Sequence, residues 1–203
     1  MSVKVKICGV CSVADARAAV AAGADFLGLN FHRDSPRYLE PEAARELAEA
    51  VPGVPLVGVF VDAPRPDVVA VAEHVGLSAL QFHGEEDPAY CTGWSWRTIK
   101  ALRARPGEDL RAGAARYATD YILIDAYRLG VPGGTGVPID PALARGIDPA
   151  RLFIAGGLRP ETVAAAVGEL HPFAVDVASG VESRPREKDH AKLEEFVRRA
   201  KAA

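Results

Sequence analysis

Amide side chains are almost missing from this chain: Asn30 is the only asparagine, Gln81 the only glutamine, and Met1 the only methionine. Poverty in thermolabile residues, with arginine and proline abundant, is a thermophile-like composition, and a GC-rich genome produces the same bias. Three cysteines in 203 residues are too few for a disulfide framework, which fits a reducing compartment. The start lacks the apolar h-region of a signal peptide and no apolar run is long enough to cross a bilayer, so the expected location is the cytoplasm, with no membrane partner. No Lys/Arg-rich run is present and the formal net charge is -3, which argues against nucleic acid as a partner. No linker or low-complexity tract divides the chain, so residues 1–203 are expected to form one domain, as a monomer or a homodimer.

What the chain does contain is one pattern, repeated. A short β-branched run is followed by a turn rich in Gly, Pro or Asp and then by an apolar stripe at helical spacing. The strand-like runs are residues 3–8, 26–31, 56–61, 79–82, 98–102, 121–125, 152–155 and 174–178. Most are apolar on both faces, as expected of parallel strands covered by helices. Ala44, Leu47, Ala48 and Val51 make one helical stripe, Val163, Ala166, Val167 and Leu170 another, and Leu193, Phe196, Val197 and Ala200 the last. Ser12 can cap the first helix, while Pro41, Pro66 and Pro160 sit where a first helical residue belongs. Residues 109–117 read as a short helix. Eight β-then-α units in one α/β domain predict a closed (β/α)8 TIM barrel. A doubly wound open sheet obeys the same local rules.

In a barrel the site gathers at the C-terminal ends of the strands. Those positions hold Cys8, Asn30, Asp62, His83, Lys100, Asp125, then Gly156 with Gly157, and Ser179 with Gly180. The stretches "IAGGLRPE" and "VASGVESR" end the seventh and eighth strands, where such barrels bind phosphate through backbone N–H groups. "VPGGTGV", residues 131–137, follows Asp125 and reads as a mobile lid or as a surface turn.

Cys8 and Cys11 form a C-x-x-C. A structural zinc site needs four ligands, and no second C-x-x-C or H-x-x-x-H accompanies it. A redox pair would leave the glycine clusters unexplained. Two buried thiols, or one working cysteine beside a bystander, remain open. Strand alternation puts Lys4, Lys6 and Cys8 on one face and Val3, Val5 and Ile7 on the other. If the valines meet the helices, Cys8 enters the barrel mouth, and Lys6 beside it would favour its thiolate. Asp176 shares this inward parity on the last strand, which neighbours the first in a closed barrel, so a Lys6–Asp176 ion pair is expected.

Seven segments, "KICG", "FHRDSPR", "GVFV", "QFHGEE", "LIDAYRLGVPGGTG", "IAGGLRPETV" and "VDVASGVESRPREKD", occur in order over nearly the whole chain. Together they resemble the phosphoribosylanthranilate isomerases, enzymes of tryptophan biosynthesis that carry out an Amadori rearrangement. The resemblance implies a phosphorylated small-molecule substrate and no metal or organic cofactor. It implies Cys8 as general base and Asp125 as general acid, with Arg37 gripping the anthranilate carboxylate. His83 would line the pocket and Gly134 of the glycine-rich loop would meet substrate, while Gly157, Ser179 and Gly180 would hold the phosphate. This chain departs from the family pattern at Cys11, Phe82, Ala178 and Arg186, and at Ile139-Asp140-Pro141, where F-D-W is common.

Other barrels fit less well. A sugar-phosphate epimerase would place metal ligands or paired aspartates in the mouth, and an indole-glycerol-phosphate synthase would want an extra N-terminal segment and a catalytic lysine. A catalytically dead phosphate-binding regulator would need neither Cys8 nor Asp125.

Overall fold

The computed structural model describes residues 2–105, 108–125 and 144–203. Its eight parallel strands close in chain order, with the last pairing to the first. They are β1 (Lys4–Cys8), β2 (Phe26–Asn30), β3 (Leu56–Phe60), β4 (Ala79–Phe82), β5 (Arg97–Arg103), β6 (Tyr121–Asp125), β7 (Leu152–Ala155) and β8 (Ala174–Val177). Around them lie α1 (Val13–Ala21), α2 (Pro41–Ala50), α3 (Arg65–Val75), α4 (Leu110–Ala115), α5 (Pro160–Leu170) and α6 (His190–Lys201). This is the expected (β/α)8 barrel. Ser12 caps α1 by accepting from the Asp15 N–H at 3.1 Å, and Asp109 caps α4 in the same way from Ala112 at 3.0 Å. Among the described residues no helix is long and apolar enough to cross a membrane.

Alternation along the strands divides the apolar residues into two layers. Val5, Ile7, Leu27, Leu29, Leu80 and Phe82 join the layer between strands and helices, where α6 contributes Leu193, Phe196, Val197 and Ala200. Val57, Ile99, Leu123 and Phe153 fill the barrel itself. At the N-terminal ends of the strands, the Tyr121 ring stacks on Phe173 at 4.8 Å, and Phe26 and Phe153 pack beside them. These aromatics plug the bottom of the barrel. Above them Lys6 Nζ donates to Asp176 Oδ1 at 2.9 Å, in the expected pair, and both residues are buried. Burial pulls the Lys6 ammonium down, but Asp176 and then Cys8 more than offset it, so its pKa is raised.

The structure differs from the sequence reading at several places along the chain. Among the described residues no helix joins β4 to β5. Pro88 and Gly93 interrupt that segment, and Tyr90 and Trp94 pack on Phe82 instead, each ring 5.3 Å from it. Arg65 of α3 serves the backbone there, donating to the Tyr90, Thr92 and Gly93 carbonyls and lying 3.8 Å over the Trp94 ring. Lys100 is not in the mouth. With Ile99 and Ala101 facing inward, it faces the helix layer and donates to Glu86 Oε2 at 2.6 Å and the Gly84 carbonyl at 2.7 Å. Pro66 is the second helical residue of α3, not the first. Finally, a short hairpin of β9 (Glu182–Arg184) and β10 (Glu187–Lys188) intervenes before α6.

Removing one partner of a buried pair leaves an uncompensated charge, at a cost of about 3–5 kcal/mol. Asp176→Ala should therefore lose stability on that scale in urea unfolding. Replacing both partners, as Lys6→Met with Asp176→Leu, should recover most of it, and a single variant that loses under about 1 kcal/mol would contradict the pairing.

Candidate active site

Cys8 ends β1 opposite Gly28 of β2. A Cβ on Gly28 would lie 2.8 Å from Cys8 Sγ and 3.0 Å from Lys6 Nζ, so glycine makes the notch that thiol and ammonium share. Burial raises the Cys8 pKa and Asp176 adds to it; Lys6 and Lys188 pull the other way without reversing the result. Lys6 does favour the thiolate, as expected, but its pull falls short of burial and Asp176. The lysine's charge is already spent on Asp176, and desolvation wins.

Cys11 stands outside this notch. Its Sγ lies 3.5 Å from the Gly9 carbonyl and 3.5 Å from the Arg37 carbonyl, and it serves as a weak donor to both. Burial pushes its pKa up too, while Arg186 and Lys188 pull it down. Both cysteines are free thiols. Among the described residues, no three His, Cys, Asp or Glu side chains gather as metal ligands.

On the far strands, Asp125 ends β6 with its Oδ2 3.3 Å from His83 Nε2. Gln81 sits two residues before His83, on the same strand face, and its Nε2 lies 2.9 Å from His83 Nδ1. With Gln81 donating to Nδ1, Nε2 carries the ring hydrogen on the side of Asp125, at ion-pair distance. The Gln81 Oε1 is buried without a partner among the described residues.

Arg37 reaches the mouth from the loop after β2. Its stem crosses Gly9, whose backbone is left-handed at φ 67°; a Cβ there would lie 2.3 Å from Arg37 Cδ. The guanidinium forks onto Glu182, Nε to Oε1 at 2.7 Å and Nη2 to Oε2 at 2.5 Å. Glu182 also accepts from Lys188 Nζ at 3.2 Å, and the same ammonium donates to the Cys8 carbonyl at 2.7 Å and the Ala178 carbonyl at 3.1 Å. Burial raises the Glu182 pKa, but Arg37 and Lys188 overcome it and hold the carboxyl below its usual value.

The two glycine loops meet on the same rim. Gly156 and Gly157 adopt φ of 90° and 70°, which favour glycine, and carry the chain from β7 into α5. Gly180 lies in a 3-10 turn of residues Ser179–Val181, where a Cβ would come within 1.9 Å of the Leu158 carbonyl. Backbone contact between the loops thus requires glycine at 180.

The barrel mouth gathers Cys8, Arg37, His83, Asp125, Gly157, Ser179 and Gly180. Asn30 and Asp62 serve the loops instead. Asn30 accepts from the His32 N–H at 2.9 Å, and Asp62 accepts from the Glu85 N–H at 2.8 Å. Gly134 and the stretch 131–137 with Pro141 lie outside the described residues. Sequence reasoning missed Glu182 and Lys188, whose only signal was their place in the last quoted segment.

The model of the family described as "N-(5'-phosphoribosyl)anthranilate (PRA) isomerase" matches residues 5–199. A relative from Pseudomonas putida strain F1, N-(5'-phosphoribosyl)anthranilate isomerase, is 46% identical over 208 residues, covering 100% of this chain and 99% of its own. The structure of phosphoribosyl anthranilate isomerase from Thermotoga maritima is 37% identical, covers 99% of this chain and 100% of its own, and superposes with a TM-score of 0.91. A further structure of such an isomerase, in complex with reduced 1-(o-carboxyphenylamino)-1-deoxyribulose 5-phosphate, is 35% identical. It covers 99% of this chain and 100% of its own, with a TM-score of 0.87.

Raised pKa values mean less thiolate at neutrality, so neither Cys8 nor Cys11 should be hyper-reactive. Iodoacetamide at about pH 7 should modify both more slowly than a free thiol of pKa ~8.5, with rates climbing about tenfold per pH unit. Mass-spectrometric mapping checks this, and a Cys8 alkylated faster than free cysteine would overturn it.

Proposed function

The chain belongs to the N-(5'-phosphoribosyl)anthranilate isomerase family and catalyses that isomerisation, and we propose that Cys8 is its general base and Asp125 its general acid. The observation that carries this reading is the shared rim. Cys8 in its glycine notch and Asp125 beside His83 lie at strand ends of one mouth, and Arg37 and the two glycine loops lie on the same rim. An arginine fork and loop backbone N–H groups on one rim suit a substrate that bears both a carboxylate and a phosphate.

Arg37 takes the anthranilate carboxylate, and Gly157, Ser179 and Gly180 take the phosphate through backbone N–H groups. Gly134 of the glycine-rich loop completes the substrate contacts. Asp125 delivers a proton to the ribose ring oxygen as the C1′–O bond breaks and the amine nitrogen forms a C1′=N iminium. His83 orients the carboxyl for that delivery. Cys8 thiolate then takes the proton from C2′, the electron pair moves through C1′ to nitrogen, and the resulting enaminol tautomerises to the ketose. Protons move and no oxidant or reductant is consumed.

Cys8→Ala and Asp125→Asn should each lower kcat by about two decades or more, the scale of general acid–base catalysis, with KM little changed. Loss of substrate fluorescence follows turnover. The pH profile isolates the base once the acid is removed: the base works as thiolate and its pKa is raised, so the residual kcat/KM of Asp125→Asn should climb about tenfold per pH unit through neutrality. A Cys8→Ala enzyme with near-native turnover ends the proposal.

A further inference from the structure

Arg186 occupies the turn of the β9–β10 hairpin with φ 76°, a conformation strained for any residue with a Cβ. It is exposed and packs into no core. Its guanidinium nevertheless has a defined target. Nη1 donates to the Pro36 carbonyl at 3.1 Å and to the Tyr38 carbonyl at 2.7 Å, the carbonyls of the two residues that flank Arg37. The carbonyl of Arg37 itself is met by Cys11, and its N–H by Ser35 Oγ at 3.1 Å. From the same hairpin, Glu182 takes the Nε and Nη2 edge of the Arg37 fork. The edge formed by Nη1 and Nη2 makes no hydrogen bond or ion pair to another described residue. Arg37, Lys188 and Glu182 together keep one net positive charge, so the cluster still attracts an anion.

We propose that Arg186 is a positioning residue for Arg37: it pins the backbone on both sides so that the free edge of the guanidinium meets the anthranilate carboxylate without being ordered at binding. The inference rests on Arg37 being the carboxylate anchor. An anchor fixed in advance loses less side-chain and loop freedom when substrate arrives, which lowers KM and leaves the chemical step alone. Arg186 acts through Arg37, and the left-handed backbone is tolerated for that contact.

The test is a double-mutant cycle on the full chain, with kinetics and thermal melts for Arg186→Gly, Arg37→Ala and the double variant. Arg186→Gly removes the latch and suits the left-handed backbone, so Tm should hold or rise while KM for phosphoribosylanthranilate rises about three- to tenfold and kcat stays within about twofold. A merely structural residue would instead lower Tm with KM unmoved. Arg37→Ala keeps Glu182 paired to Lys188, so the variant should fold. In its background Arg186→Gly should change KM no further. If Arg37→Ala leaves KM unchanged, the anchor reading fails and takes the latch with it. If Arg37→Ala raises KM but Arg186→Gly does not, only the latch is overturned. Additive effects in the double variant, or a fall in kcat as large as the rise in KM, overturn it as well.

Discussion

The barrel depends on a buried ion pair where it closes. β8 and β1 are the last and first strands, and Lys6 and Asp176 are opposite one another across that seam. An apolar pair there would also close the barrel, and buried ion pairs are often no more stable than such replacements. What the pair sets is the ground beneath Cys8. Lys6 Nζ and Cys8 Sγ share the notch of Gly28, and Asp176 stands behind the ammonium. The lysine cannot leave, because its carboxylate partner would then be buried alone, and the carboxylate is bound by the same logic. The thiol is therefore held against two fixed charges that nearly cancel.

A second cluster ties the end of β1 to the loops above it. Lys188 binds the carbonyls of Cys8 and Ala178, and Glu182 joins Lys188 to Arg37. The hairpin carrying these residues thus fixes the ends of the first and last strands and the loop after the second. Here the C-x-x-C finds its explanation. Cys8 faces the barrel interior, whereas Cys11 turns back to the Gly9 and Arg37 carbonyls and braces the loop that carries the arginine. The spacing places one thiol in the mouth and the other behind it.

Whatever alternation and chain order decide was legible in the sequence. The inward parity of Lys6, Cys8 and Asp176 followed from strands of period two, and their meeting followed from barrel closure. Asp125 and the glycine loops followed from the rule that strand ends build the site. Lys100 escaped because β5 runs from Arg97 to Arg103, and a boundary in sequence does not say which parity faces inward when both are apolar. Its burial is satisfied by Glu86, which no local pattern announces. Arg37 and Glu182 are 145 residues apart, and nothing in either segment's spacing foretells a hairpin that folds back over the mouth. The missing helix after β4 was hidden for a different reason: an aromatic cluster under Arg65 buries the apolar surface there without helical spacing.

The state of the Cys8 thiol constrains the order of chemical events under the acid–base reading. Lys6 and Asp176 nearly cancel, so the positive charge left near the thiol is that of Lys188, itself shared with Glu182. Burial pulls the Lys188 pKa down, and neither Glu182 nor Cys8 restores it. A bound carboxylate and phosphate would add negative charge and disfavour the thiolate further. The substrate's own nitrogen supplies the missing cation. Once the ring has opened, the C1′=N iminium places a positive charge next to C2′, which both acidifies the C2′ proton and favours a thiolate beside it. Under this reading Asp125 acts before Cys8, and the iminium stabilises the thiolate, its proton released to solvent, that takes the proton from C2′.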